Sequence, residues 1–240
     1  MSNRFATTQW SVVLTARDGS NPQARQALAA LCESYWYPLY AFVRRRGHSA
    51  DDSADLTQAF FADLLSRDFL SSIDRSKGRF RSFLLASLEH FLSRERDKAH
   101  AVKKGSGVRP LSLDAREAED RYQLEPQDRR TPEMLFERRW GLTVLERTMG
   151  RLRAEFADQP DRFERLKPSL TGAEPAHYSE VAAGLGMSET AVKAAVHRLR
   201  QRYGRLLRDE IAETVADPAE VDDEVRHLLA VVQPWQDPQA

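Results

Sequence analysis

Apolar positions recur along this chain at spacings of three, four and seven, the period of an α-helix with one buried face. From Gln23 to Arg46 they fall at Ala27, Leu28, Leu31, Tyr35, Leu39, Phe42 and Val43. Pro22 suits the first turn of that helix and Gly47 its end. A second helix is predicted from about Ala50 to Arg67, with Leu56, Phe60, Phe61, Leu64 and Leu65 inside and aspartates along the rest. After Gly78 a third carries Phe80, Phe83, Leu84, Leu88, Phe91 and Leu92 on one stripe. A short helix around Trp10 to Thr15 is expected ahead of all three. Thr131-Pro132-Glu133 combines a cap, a first-turn proline and an acid, so a helix should start there and run through Phe136, Trp140, Val144 and Leu145 towards Phe156. A shorter piece is expected from Asp161 to Leu170. No segment alternates as a strand does. The expected fold is all-α, with two small helical domains joined by a linker.

Residues 101–131 break the pattern, with KKGSGVRP followed by mixed charge and Pro126, and they read as that linker with a local turn at Ser112-Leu113-Asp114. The boundaries that follow are an N-terminal helical domain over 1–100, the linker, a C-terminal domain over 132–208 and an acidic extension over 209–240.

The sharpest local pattern lies between Tyr178 and Leu207. Val181, Ala182 and Leu185 form one apolar face, Gly186 supplies a turn, and Ser188 is placed to cap a second helix. On that helix Val192, Val196 and Leu199 face inward. The arrangement is a helix-turn-helix, whose second helix suits the major groove of DNA. Ser188, which opens that helix, is counted among the residues expected at the DNA. Glu189, Thr190, Lys193 and His197 are the candidates for base edges, and Arg198, Arg200 and Arg202 for phosphates.

Composition first argues against that reading. The 240 residues hold 36 basic and 36 acidic side chains, for a net charge of zero. The order of the charges changes the picture. Ala50 to Asp68 holds five acids and one base, Asp74 to Arg109 ten bases and four acids, and Met187 to Arg208 six bases against Glu189. Asp209 to Glu224 holds eight acids and no base. Such segregation makes local fields that a global sum conceals.

Other chemistry finds no support. The single Cys32 rules out a disulfide framework or a Cys-based zinc site and fits a reducing cytosol. The six histidines show no metal-ligand spacing, and there is no phosphate loop, dinucleotide motif or nucleophile elbow. The aromatic set Tyr35, Trp36, Tyr37 and Tyr40 reads as core. No run approaches the ~18 apolar residues of a membrane span. A cytoplasmic, non-enzymatic protein without cofactor or metal is expected.

Three segments together resemble the bacterial extracytoplasmic-function (ECF) RNA polymerase sigma factors of the sigma-70 superfamily. Ser53 to Phe61 read SADLTQAFF, similar to the family's A-E-D-L-V-Q-E-V-F at Asp55, Leu56, Gln58 and Phe61. Phe80-Arg81-Ser82-Phe83-Leu84, followed by Ser93 to Lys98, is similar to its next, basic segment. Tyr178, Glu180, Ala182, Leu185, Gly186, Ser188, Val192 and Lys193 match its fourth-region motif Y-x-E-I-A-x-x-L-G-x-S-x-x-T-V-K.

The resemblance implies specific roles. Asp52, Asp55, Leu56, Gln58 and Phe61 would dock on the β′ clamp of core RNA polymerase, with β as a further partner. Arg75, Lys77, Arg79, Arg81, Arg94, Arg96 and Lys98 would meet the minus-10 element of promoter DNA as single strand, the loop from Asp74 to Arg79 pocketing a flipped base. The helix-turn-helix would read the minus-35 element as duplex. Three departures stand out. Ala59 replaces the family's second glutamate. The asparagine usual near the end of the basic helix has no counterpart. An acidic extension follows the helix-turn-helix, either as a cap on the C-terminal domain or as a brake on a basic DNA-binding face. Thr57 and Ser53 are expected on or beside the docking surface, where a phosphate on Thr57 would add about −1.5 to −2 charge and replace the missing carboxylate. A Ser/Thr kinase or an anti-sigma factor is therefore a candidate regulatory partner. The competing reading is a stand-alone helix-turn-helix regulator whose N-terminal domain binds a ligand or dimerises.

Overall fold

The computed structural model describes residues 22–64, 79–101, 113–124, 130–171, 178–215 and 217–233. The helices are α1 (Pro22–Arg45), α2 (Ala50–Leu64), α3 (Phe80–Ala101), α4 (Leu113–Gln123), α5 (Pro132–Ala154), α6 (Pro160–Leu166), α7 (Pro168–Thr171), α8 (Tyr178–Leu185), α9 (Glu189–Ala212) and α10 (Val221–Val232), with a 3₁₀ turn at Pro218–Glu220. No strand occurs among the described residues, and no described helix is long and apolar enough to cross a membrane. The short helix expected near Trp10 lies outside the described residues.

Helix starts obey capping chemistry. Before α2 the Ser49 hydroxyl accepts the Asp52 N–H at 3.1 Å as an N-cap, and donates in turn to the Asp52 carboxylate at 2.7 Å. Before α5 the Thr131 hydroxyl accepts the Met134 N–H at 3.3 Å, with Pro132 in the first turn.

Among the described residues, those up to Leu142 and from Ala212 onward form one compact unit, and Thr143–Ile211 form the other. This division differs from the expected boundaries in three places, the first being that the border falls inside α5 at 142/143 and not at 132. About a third of the expected linker is α4, which packs through Ala118 and half-buried Tyr122 against Tyr37, Tyr40 and Ala41 of α1 and Leu135 of α5. Its Glu119 accepts Arg44 Nε and Nη2, each at 2.9 Å, and the Tyr40 hydroxyl. The expected turn at Ser112 to Asp114 is the start of this helix. From Ala212 onward the acidic extension likewise groups with the first unit, packing on the part of α5 that was expected to open the C-terminal domain. Its helix α10 belongs to the first unit, where Leu228 is fully buried and Val231 and Val232 lie against Gly141 of α5. A β-carbon at Gly141 would come within 2.8 Å of Val232 Cγ1, so the glycine sets how closely α10 approaches.

The first unit is built around aromatic contacts: Tyr35 meets Phe80 edge-on at 5.6 Å and Phe60 meets Phe91 at 5.8 Å. The second has its own core of Leu152, Phe163, Leu166, Val181, Val192, Val196 and Leu199.

Candidate functional site

Three surfaces carry the expected functional residues. On α2, Asp51, Asp52, Asp55, Gln58 and Ala59 are exposed along one side. Leu56 is half-buried, and Phe61 is 6% exposed against Phe60, so Phe61 holds the helix in place while the acids face outward. Ser53 and Thr57 overturn expectation, because both are fully buried. The Thr57 hydroxyl donates to the Ser53 carbonyl at 2.7 Å, on the side of the helix that carries Phe60, Phe61 and Leu64. A kinase would find no hydroxyl at the surface there, and a phosphate would sit among apolar side chains rather than beside the aspartates.

The basic stretch of α3 divides. Arg75 and Lys77 lie outside the described residues. Arg94 donates to Asp63 of α2 at 2.6 Å and Lys98 pairs with Glu95 at 2.7 Å, both near the surface, and Arg96 is exposed. Arg81 is the correction: it is 2% exposed and takes part in an interior ionic cluster. Its Nε donates to Glu137 of α5 at 2.6 Å, Nη1 meets Glu224 of α10, and the guanidinium lies 4.5 Å from the centre of the Trp140 ring. Arg79 Nε pairs with the other Glu224 oxygen at 3.0 Å, and His227 Nε2 lies 2.9 Å from Glu137. Burial pushes the Arg81 guanidinium below its ordinary range, opposed by Glu137 beside it. Arg81 is thus an interior anchor between three helices and does not present its charge to a nucleic acid.

In the second unit α8 ends in a hydrogen-bonded reversal. The Met187 N–H reaches the Ala182 carbonyl at 3.0 Å and the Gly186 N–H the Ala183 carbonyl at 3.4 Å. Gly186 has φ +62°, the left-handed conformation this closure requires. Ser188 then caps α9, its hydroxyl accepting the Ala191 N–H at 3.2 Å. With Val192, Val196 and Leu199 buried, the opposite side of α9 exposes Glu189, Thr190, Lys193, His197 and Arg198. Lys193 Nζ lies 5.8 Å from the Tyr178 ring. Arg200 and Arg202 are engaged nearby: Arg200 donates to the Ser169 carbonyl at 3.0 Å, and Arg202 Nε to both Glu155 oxygens at 3.0 and 2.8 Å. Farther along α9, Arg147 and Arg151 hold the buried Glu210 at 3.5 and 2.7 Å.

A cavity of about 440 Å³ opens in the first unit beside Cys32, Glu33, Trp36, Tyr37, Glu117, Ala118 and Arg121. Burial and the neighbouring Glu33 raise the Cys32 thiol to about 11, so it is protonated at neutral pH. Among the described residues no three His, Cys, Asp or Glu side chains are grouped to hold a metal ion.

Sequence reasoning missed the interior carboxylates Glu119, Glu137, Glu210 and Glu224. A signal existed for one: Glu224 stands four residues before Leu228, on the buried stripe of α10. Against protein-family models, curated proteins and solved structures, the chain finds no match.

Proposed function

We propose that this chain is an alternative RNA polymerase sigma factor of the ECF kind, a DNA-binding transcription factor that brings core polymerase to a promoter and catalyses no reaction itself. The observation that carries the reading is the α8–Gly186–α9 pair. It is a helix-turn-helix whose cap and buried stripe leave Lys193, His197 and Arg198 facing outward together, as a helix entering the major groove requires. Thr190, Lys193 and His197 would contact base edges of the minus-35 element, and Arg198 a phosphate. The exposed side of α2, with Asp52, Asp55 and Gln58, would dock on the cationic β′ clamp. Arg94, Arg96 and Lys98 on the outside of α3 would track the minus-10 strand once it is unpaired. Strand opening then follows from tighter binding to unstacked than to stacked DNA. The test is binding to purified core polymerase: Asp52→Lys with Asp55→Lys should abolish a complex that the unaltered chain forms, and absence of any complex would refute the proposal.

The cavity beside Trp36 and Tyr37 favours a second reading, a polymerase-independent regulator with a small-molecule site in its first unit. That reading requires specific duplex binding by the free chain, altered by a ligand, and no affinity for polymerase.

A further inference from the structure

The start of α3 and the start of α10 meet through charge. Glu224 is fully buried, with one oxygen on Arg79 and the other on Arg81. Neither oxygen accepts a well-directed hydrogen bond, although a buried ion pair repays its desolvation only when such bonds are in place. Arg81 has a second carboxylate, Glu137, and the Trp140 ring, and so keeps its place without Glu224. Arg79 differs: its side chain is 36% exposed, and Glu224 is its ion-pair partner. Of the three acids in the first turn of α10, Glu224 is the one that meets the beginning of the basic helix; Asp222 and Asp223 are exposed, and Asp223 pairs with Arg226.

α10 is also lightly embedded. Only Glu224 and Leu228 of its twelve residues are buried, against five of fifteen in α2. Val231 and Val232 touch Gly141, and Arg138 Nη1 donates to the Val232 carbonyl at 3.1 Å. A helix held by one buried leucine, a close approach at a glycine and an ion cluster belongs to the less stable end of a structure, where elements open before the whole unfolds.

We propose that α10 is a built-in anionic cover on the first unit: Glu224 occupies Arg79 in the position of a nucleic-acid phosphate, and release of α10 frees Arg79 for single-stranded DNA. The cover rests on the proposed function, since it regulates the minus-10 surface of that reading. It also differs from a brake on the helix-turn-helix, because the carboxylate sits in the other unit. Linkage makes the effect reciprocal: DNA bound at Arg79 must loosen α10 by the factor by which α10 weakens DNA.

The test uses the full chain and a fluorescent 20-nucleotide oligothymidylate. Glu224→Gln should bind it about tenfold more tightly than the unaltered chain, with a dependence on log salt steeper by about 0.7, the increment for one added phosphate contact on a single strand. Adding Arg79→Gln to that variant should return both values to the start. Equal affinity and slope in the Glu224→Gln and unaltered chains would overturn the cover, as would weaker binding by a folded variant. If Glu224→Gln loses its fold, hydrogen exchange of the unaltered chain decides. Saturating oligothymidylate should speed exchange of the α10 amides severalfold, and unchanged or slower exchange refutes the proposal. Run-off transcription with core polymerase separates the two ideas. Transcription without any Glu224 effect leaves the sigma-factor reading standing and the cover refuted, whereas a Glu224 effect on oligothymidylate without transcription refutes the sigma-factor reading and leaves α10 covering a single-strand site that is not a minus-10 surface.

Discussion

Arg81 and Arg198 each lie in a helix rich in basic residues, and the structure uses them in opposite ways. Arg81 is 2% exposed between Glu137, Glu224 and the Trp140 ring, whereas Arg198 stands exposed on the outer side of α9 beside Lys193 and His197. The difference is one of phase. Arg81 precedes Leu84 by three residues and Leu88 by seven, so it points along the apolar stripe of α3. Arg198 lies between Val196 and Leu199, turned away from the buried stripe. A run of positive charge therefore marks a nucleic-acid surface only after the residues on the buried phase are subtracted.

The sharpest way to break this comparison is to remove each charge in turn. Arg81→Met should destabilise the first unit by about 3 kcal/mol, because it removes the guanidinium between Glu137 and buried Glu224 and leaves Glu224 with Arg79 alone. Arg198→Met should change stability by no more than about 0.5 kcal/mol. Urea unfolding of the two variants checks both, and equal losses would erase the distinction. Function should show the mirror image. Lys193→Glu and Arg198→Glu should each lower duplex affinity by roughly 1–3 kcal/mol while leaving the urea midpoint in place. Duplex binding measured alongside unfolding reads both arms.

A smaller effect concerns α4. Glu119→Gln should cost roughly 1–2 kcal/mol through its bonds to Arg44 and Tyr40. It should also change the response to acid. The Arg44 guanidinium holds the Glu119 carboxyl below its ordinary range, so its contribution is complete above the unfolded value of about 4.3 and disappears as pH falls through the lowered native one. Unfolding between pH 6 and 3 should therefore show a shallower acid loss in the variant than in the unaltered chain. Ser188→Ala should remove about 1 kcal/mol from the second unit through the lost cap on α9, detectable as a lower thermal midpoint.

Much of this architecture was legible in the sequence because its signals are local. The apolar stripes place α1, α2 and α3, Thr131-Pro132 starts α5, and Gly186 with Ser188 gives the reversal into α9. What escaped depends on partners far apart in the chain. Arg81 lies 143 residues before Glu224, and nothing near either residue names the other. Thr57 is a different kind of miss, since its own spacing to Phe60, Phe61 and Leu64 puts it on the buried phase. Its polarity suggested a surface, but a threonine in a helix can satisfy its hydroxyl on the carbonyl four residues back and be buried at little cost. Helix α4 was hidden by composition: it is rich in charge, and its short apolar face appears only once α1 is in place.

The most direct measurement of the central claim is run-off transcription by purified core polymerase on genomic DNA fragments, with the chain added in its unaltered form and as the Lys193→Glu, Arg198→Glu double variant. The account predicts discrete transcripts that core polymerase alone does not make, present with the unaltered chain and lost with the double variant. No new transcripts with the unaltered chain, or transcripts indifferent to the reversal on α9, would contradict it.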